Sequence, residues 1–139
     1  MKKFVFVVGL VLVLGACNRK AAERASRTPE QIVKQFVTLS AAAKEAGDKQ
    51  KLEDLCAGKL HEAFDRMTDE AFRISYLGNN LRISDLSVVD SSVNKDRDTA
   101  TVHYKVTVEN KQGTDPTHEI NEREVTLVHE KAGWYIDTI

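Results

Sequence analysis

Between Ala100 and Val108 apolar and polar residues alternate without a break. Ala100, Val102, Tyr104, Val106 and Val108 fall on one side, and Thr101, His103, Lys105 and Thr107 on the other. A period of two is that of an extended chain with one dry and one wet face, so this stretch predicts a half-buried antiparallel strand. Weaker runs of the same kind flank it. Ile83–Val93, with Leu86, Val88 and Val89, predicts an imperfect strand before it. Glu122–Glu130, with Val125 and Leu127 inward, and Trp134–Ile139, with Trp134 and Ile136 on one face, predict two more after it. Asn94–Asp98 reads as a polar turn, Lys111–Glu119 as a loop holding Gly113 and Pro116, and Lys131-Ala132-Gly133 as a turn.

Upstream the period changes to that of a helix. Thr28 is placed to cap, Pro29 suits the first helical position, and Gln31 completes a capping box. Ile32, Val33, Phe36, Leu39 and Ala43 then share a face, and Gly47 is expected to end the helix. Asp48 begins a second helix with Leu52, Leu55, Cys56 and Leu60 apolar and a break at Gly58; Phe64 and Met67 continue the stripe. Thr68 caps a short third helix carrying Ala71, Phe72 and Tyr76, and Gly78-Asn79-Asn80 closes the helical half. Helices first and a meander of about four strands afterwards predict an α+β fold, with the helices packed on one face of a curled antiparallel sheet. Charge on the wet faces suggests a register: Lys105 opposite Glu124, which also sets Tyr104 against Val125 and Val102 against Leu127.

The amino terminus has a different pattern. Lys2 and Lys3 precede an apolar run, Phe4–Leu14, interrupted only by Gly9. A helix over that run spans roughly 18 Å, short of the ~30 Å hydrocarbon core, so it fits a secretory signal better than a membrane span. Leu14-Gly15-Ala16-Cys17 follows, and it resembles the lipobox of bacterial lipoproteins. The resemblance implies that the Cys17 sulfur is alkylated by a diacylglyceryl group, that the chain is cut between Ala16 and Cys17, and that the new amino terminus is acylated. Two or more chains hold a protein stably at a bilayer where one does not. Asn18 and Arg19 follow Cys17 without an Asp; by the sorting rule of such lipoproteins this favours the outer membrane in a cell with two membranes, facing the periplasm. The expected organisation is thus a signal over 1–16, a lipidated start and polar tether over 17–27, and one domain over 28–139. The acyl chains on Cys17 make the membrane contact.

Removal of the first sixteen residues, which carry two lysines and no acid, takes the formal charge from −1 to −3. That balance argues against a nucleic-acid partner, which selects a basic patch. With Cys17 modified, Cys56 has no partner and is expected to be a small buried hydrophobe.

Thr28-Pro29-Glu30-Gln31-Ile32-Val33, together with Asp98–Val102, Val125–Val128 and Gly133-Trp134-Tyr135-Ile136, resembles small bacterial lipoproteins of the nuclear transport factor 2-like superfamily, of the kind grouped as domains of unknown function. The resemblance implies a curled sheet wrapped on helices into a cone with an open end. That superfamily holds isomerases and dehydratases as well as non-catalytic members. Isomerase-type chemistry needs a carboxylate base in an apolar pocket. On the register above Tyr104, Arg123 and His129 share the concave face, with Trp134 nearby and Tyr76 approaching from the helices, and no Asp or Glu falls clearly there. These five residues are either a pocket or core aromatics with a solvated rim. His61, His103, His118 and His129 form no ligand spacing for zinc. No catalytic set and no cofactor is expected. Three functions remain in view: a non-catalytic binding domain for an envelope protein or an apolar small molecule, an isomerase or dehydratase using the cone, and a structural accessory of envelope assembly.

Overall fold

The computed structural model describes residues 22–77, 81–110, 114–130 and 132–139. The signal, the lipobox with Ala16 and Cys17, and the turn residues 78–80, 111–113 and 131 lie outside the described residues.

Helix α1 spans Pro29–Ala42 and opens on the predicted capping box. The Thr28 hydroxyl accepts from the Gln31 amide at 3.4 Å and the Gln31 side chain accepts from the Thr28 amide at 2.9 Å. Its buried face is Ile32, Val33 and Phe36. The helix stops at Ala42 and does not run on to Gly47, because the Asp48 carboxylate accepts from the amides of Lys44 (2.9 Å) and Glu45 (3.2 Å) and draws the chain into a turn. Helix α2 (Asp48–Glu53) is short. Leu55, Cys56 and Ala57 then leave the helix, all buried, and α3 covers Gly58–Arg66. Gly58 opens that helix rather than breaking one. It sits at φ +53, a conformation that favours glycine, and a Cβ there would meet Asp137 Oδ1 at 2.1 Å and push that carboxylate aside. Thr68 caps α4 (Asp69–Phe72) through the Ala71 amide at 3.1 Å, and α4 passes into a π-helical turn over Arg73–Leu77.

The sheet is a four-stranded antiparallel meander, β1 (Leu81–Val93), β2 (Thr99–Asn110), β3 (Thr117–Glu130) and β4 (Gly133–Thr138), in the order β1-β2-β3-β4. Ala100, Val102, Tyr104 and Val106 are buried, as the alternation requires. The irregular pattern of β1 has a cause: the register shifts between Ile83 and Asp85 and between Val88 and Asp90, which leaves Val89 63 % exposed. β3 begins at Thr117, five residues before its predicted start. Its first half pairs with β2 out to Asn110 but buries no side chain, so the apolar alternation that marks a strand is missing there.

The β2–β3 register differs from the charge-based expectation by two residues. Lys105 faces Glu122, Tyr104 faces Arg123, Val102 faces Val125 and Ala100 faces Leu127. Faces are unchanged, because a slip of two preserves them. Glu124 takes His103 instead, with Nε2 and Oε2 2.8 Å apart, while Lys105 Nζ lies 4.0 Å from Glu122.

The core lies between the helices and one face of the sheet. Phe64, Phe72, Ile32, Leu52, Leu127 and Ile136 are its largest fully buried side chains. The first turn of α1 is tied to the sheet by the half-buried Ser91 hydroxyl, which donates to Glu30. That bond, then the Thr28 hydroxyl, holds the Glu30 carboxyl below its ordinary range. A depressed folded-state pKa adds stability that is present above the unfolded value and is lost as pH falls through the folded one. Replacing Ser91 by Ala is expected to raise the Glu30 pKa toward the usual value, measured by NMR titration. It should also cost about 1 kcal/mol at neutral pH and less below pH ~4, measured by denaturant unfolding.

Candidate functional site

The sheet's concave face is filled at one end and open at the other. At the filled end β4 continues the sheet beyond β3, and Leu127, Ile136 and Trp134 pack with the helices. At the other end β2 and β1 run on past the helices' cover. There an apolar cleft of about 250 Å³ opens between α1, the π-helical turn and the strands. Val106 and Val108 of β2 and Leu81 and Ile83 of β1 form its floor; Val37, Ser40 and Ala41 of α1 and Ser75 and Tyr76 form its walls.

The elements position these groups for simple reasons. Ser40 Oγ donates back to the Phe36 carbonyl at 2.8 Å, which satisfies its hydroxyl within the helix. Tyr76 is fixed by aromatic packing. Its ring stacks on Phe72, with centroids 4.8 Å apart, and lies 5.9 Å from Phe64. Burial, and to a lesser degree Cys56, pushes the Tyr76 phenol above its ordinary pKa, so it is a neutral hydroxyl at physiological pH. Among the described residues the lining holds no carboxylate, imidazole or amine.

Of the five residues singled out in the sequence, Tyr76 alone lines this cleft. Tyr104 lies in the core, 7 % exposed, with burial raising its pKa. Arg123 faces it across the strands and is exposed. His129 and Trp134 stand at the filled end, paired across β3 and β4 with rings edge to face at 4.9 Å. The five therefore do not converge on one site. The cleft's other walls are ordinary apolar and small residues drawn from several elements; the sole hint in the sequence is the alternation of β2 continuing to Val108.

Cys56 is 3 % exposed, its Sγ donating to the Leu52 carbonyl at 3.2 Å. Burial, with Glu53 adding to it, pushes the thiol up to about 12, so it is not a nucleophile at neutral pH. Among the described residues no group of His, Cys, Asp and Glu side chains is placed to hold a metal ion, and no helix is long and apolar enough to cross a membrane.

The segment before the domain is also placed. Residues 22–25 form a helical turn against the β3–β4 hairpin. The Arg24 guanidinium lies 4.4 Å over the Tyr135 ring and donates to the Asp54 carbonyl. Gly133, at φ +128, leaves room for the chain here: a Cβ would meet the Arg24 carbonyl oxygen at 2.9 Å.

No family model matches the chain, and no curated protein matches it in sequence. Solved structures do match in shape. A nuclear transport factor 2-like protein with a cystatin-like fold from Novosphingobium aromaticivorans superposes with a TM-score of 0.51 at 14 % identity, covering 96 % of this chain and 92 % of that one. A SEC-C motif containing protein from Rhodopseudomonas palustris gives a TM-score of 0.61 at 15 % identity, covering 88 % and 86 %. The TraE protein in complex with 2-(2-furyl)isonicotinic acid gives 0.51 at 9 % identity, covering 77 % and 88 %. The fold is thus nuclear transport factor 2-like. At these identities the likeness extends to the fold and not to an activity.

Proposed function

We propose that this chain is a lipid-anchored envelope protein whose domain is a non-catalytic binding module, and that the apolar cleft is where it binds. The observation that carries the binding role is the lining: an opening of about 250 Å³ walled by Val37, Ala41, Leu81, Ile83, Val106 and Val108, with polar groups confined to two serines and one neutral phenol. Burying an apolar group there gains about 25 cal/mol per Å². The cleft falls just below the ~300–1,000 Å³ of drug-sized sites, so it suits one aromatic ring, a short aliphatic chain or an apolar side chain of a partner protein. TraE, of similar fold, is known with a small heteroaromatic acid bound, which supports a small-molecule occupant. Proton-transfer chemistry of the isomerase type needs a carboxylate at the apolar site, and the lining among the described residues offers none.

The anchor in this reading is Cys17, carrying acyl chains after cleavage behind Ala16. Four residues lie between Cys17 and Ala22, so five residue steps join them, a reach of at most about 18 Å. Since residues 22–25 pack beside Tyr135, the lipid end would hold the β3–β4 hairpin within about that distance of the bilayer surface. The domain then stands in the periplasm on the outer membrane of a two-membrane cell.

Two measurements test these halves separately. An uncharged naphthylamine dye should gain fluorescence on binding the wild-type chain, and Ala41→Trp, which fills the cleft from an exposed helical position, should weaken that binding at least about tenfold, a loss of 1.4 kcal/mol. Equal dye binding by both proteins would remove the cleft as the site. Separately, cells fed labelled palmitate should label the wild-type chain and leave Cys17→Ser unlabelled; label retained in the serine variant would refute the anchor.

A further inference from the structure

The sheet has three stretches of outer edge, and two of them are protected. β1 is broken by its two register shifts, the bulges that natural sheets use to blunt an edge. The outer edge of β4 is occupied, since Ala57 N donates to Ile136 O at 2.8 Å and Ile136 N to Leu55 O at 2.9 Å. The third stretch, without a partner strand among the described residues, is Thr117–Val125 of β3. It pairs with β2 in unbroken register, and β4 covers β3 only from Thr126 onward. It holds no proline, lysine or bulge. Ile120 at its middle is 60 % exposed.

The direction of its backbone groups is fixed. His129 N donates toward β2, to Asp98 O at 2.8 Å. By antiparallel alternation the odd residues of β3 bond to β2, and the amides and carbonyls of His118, Ile120, Glu122 and Glu124 point outward.

We propose that this edge pairs with the same edge of a second copy of the chain, antiparallel about a two-fold axis at Asn121, joining two four-stranded sheets into one. The sequence is self-complementary in this register. Glu119 faces Arg123 of the second copy, His118 faces Glu124, and Ile120 faces Glu122, each twice by symmetry. The outward-pointing even residues then meet one another, giving about eight backbone hydrogen bonds. A slip of two residues is worse in either direction: one sets Glu122 against its own copy, and the other sets Arg123 opposite Thr117, with no acid directly across. The acids of the wet face do not oppose the pairing, because Glu124 already contacts His103 at 2.8 Å and Glu122 lies 4.0 Å from Lys105. The two Ile120 side chains become diagonal neighbours and cover each other.

Sedimentation velocity of the full chain in nonionic detergent, from micromolar to submillimolar, tests the pairing. The wild type is expected to pass from monomer to dimer over that range. Arg123→Glu sets acid against acid twice and should weaken the dimer about tenfold, and combining it with Glu119→Arg should restore it. Ile120→Pro removes one outward amide and none of the bonds to β2; it should leave the far-ultraviolet dichroism unchanged and abolish the dimer. Asn121→Cys should form a reducible dimer on non-reducing gels well above Glu124→Cys, whose sulfur faces His118 of the second copy and not its own kind. A wild type that stays monomeric throughout, as it would if the edge serves a strand of another protein, overturns the proposal. So does a dimer in which the charge swap fails to restore what the single reversal loses.

Discussion

The joint between the two halves of this molecule is one residue's worth of backbone. Ile136 bonds through both its amide and its carbonyl to the segment Leu55–Ala57, which lies beside β4 as a parallel bridge. The helical half has no other extended segment that joins the sheet among the described residues. Gly58 makes the joint feasible. A residue without a Cβ turns there from the bridge into α3 at φ +53 with least strain and without displacing the Asp137 carboxylate alongside. Leu55, Cys56 and Ile136 meet in the core as a consequence, and α3 delivers Phe64 beneath Phe36, with rings edge to face at 6.1 Å.

That joint also determines where the molecule is open. It pins the helices over the Ala100 end of the sheet, where β4 lies, while β1 and β2 extend about four residues further than the helices' fully buried contacts. Val106, still in the core, and the partly buried Val108 continue the dry face of β2 toward the uncovered end, where both line the cleft. β4 pairs with β3 only from Thr126 onward, so among the described residues the first half of β3 has no outer neighbour. Cleft and open edge are two results of one mismatch in strand length.

Much of this was legible in the sequence, and the failures have physical reasons. The period-two run of β2 and the Thr28 and Thr68 caps identify their elements directly, because burial of one face and satisfaction of helix-end amides constrain those residues. The β2–β3 offset was not legible, since alternation fixes the face but leaves slips of two degenerate, and acids at both 122 and 124 offer Lys105 two equivalent partners. The first half of β3 is silent because it buries nothing. Gly47 does not end α1 because a side-chain carboxylate, Asp48, turns the chain before a glycine is needed, and Gly58 opens a helix where a break was expected. The cleft was hidden for a different reason: its lining is built from common apolar residues of four elements, and only Tyr76 among them is of a type that draws notice.

Native-state hydrogen exchange at the Ile136 amide tests whether this joint holds the two halves together. A bond that holds the two halves together opens only with global unfolding, so the Ile136 amide should exchange with the same free energy as the Val102 amide in the middle of the sheet, and Gly58→Ala should lower the Ile136 value well before it touches Val102. Exchange at Ile136 as fast as at a frayed strand end in the wild-type chain would contradict it.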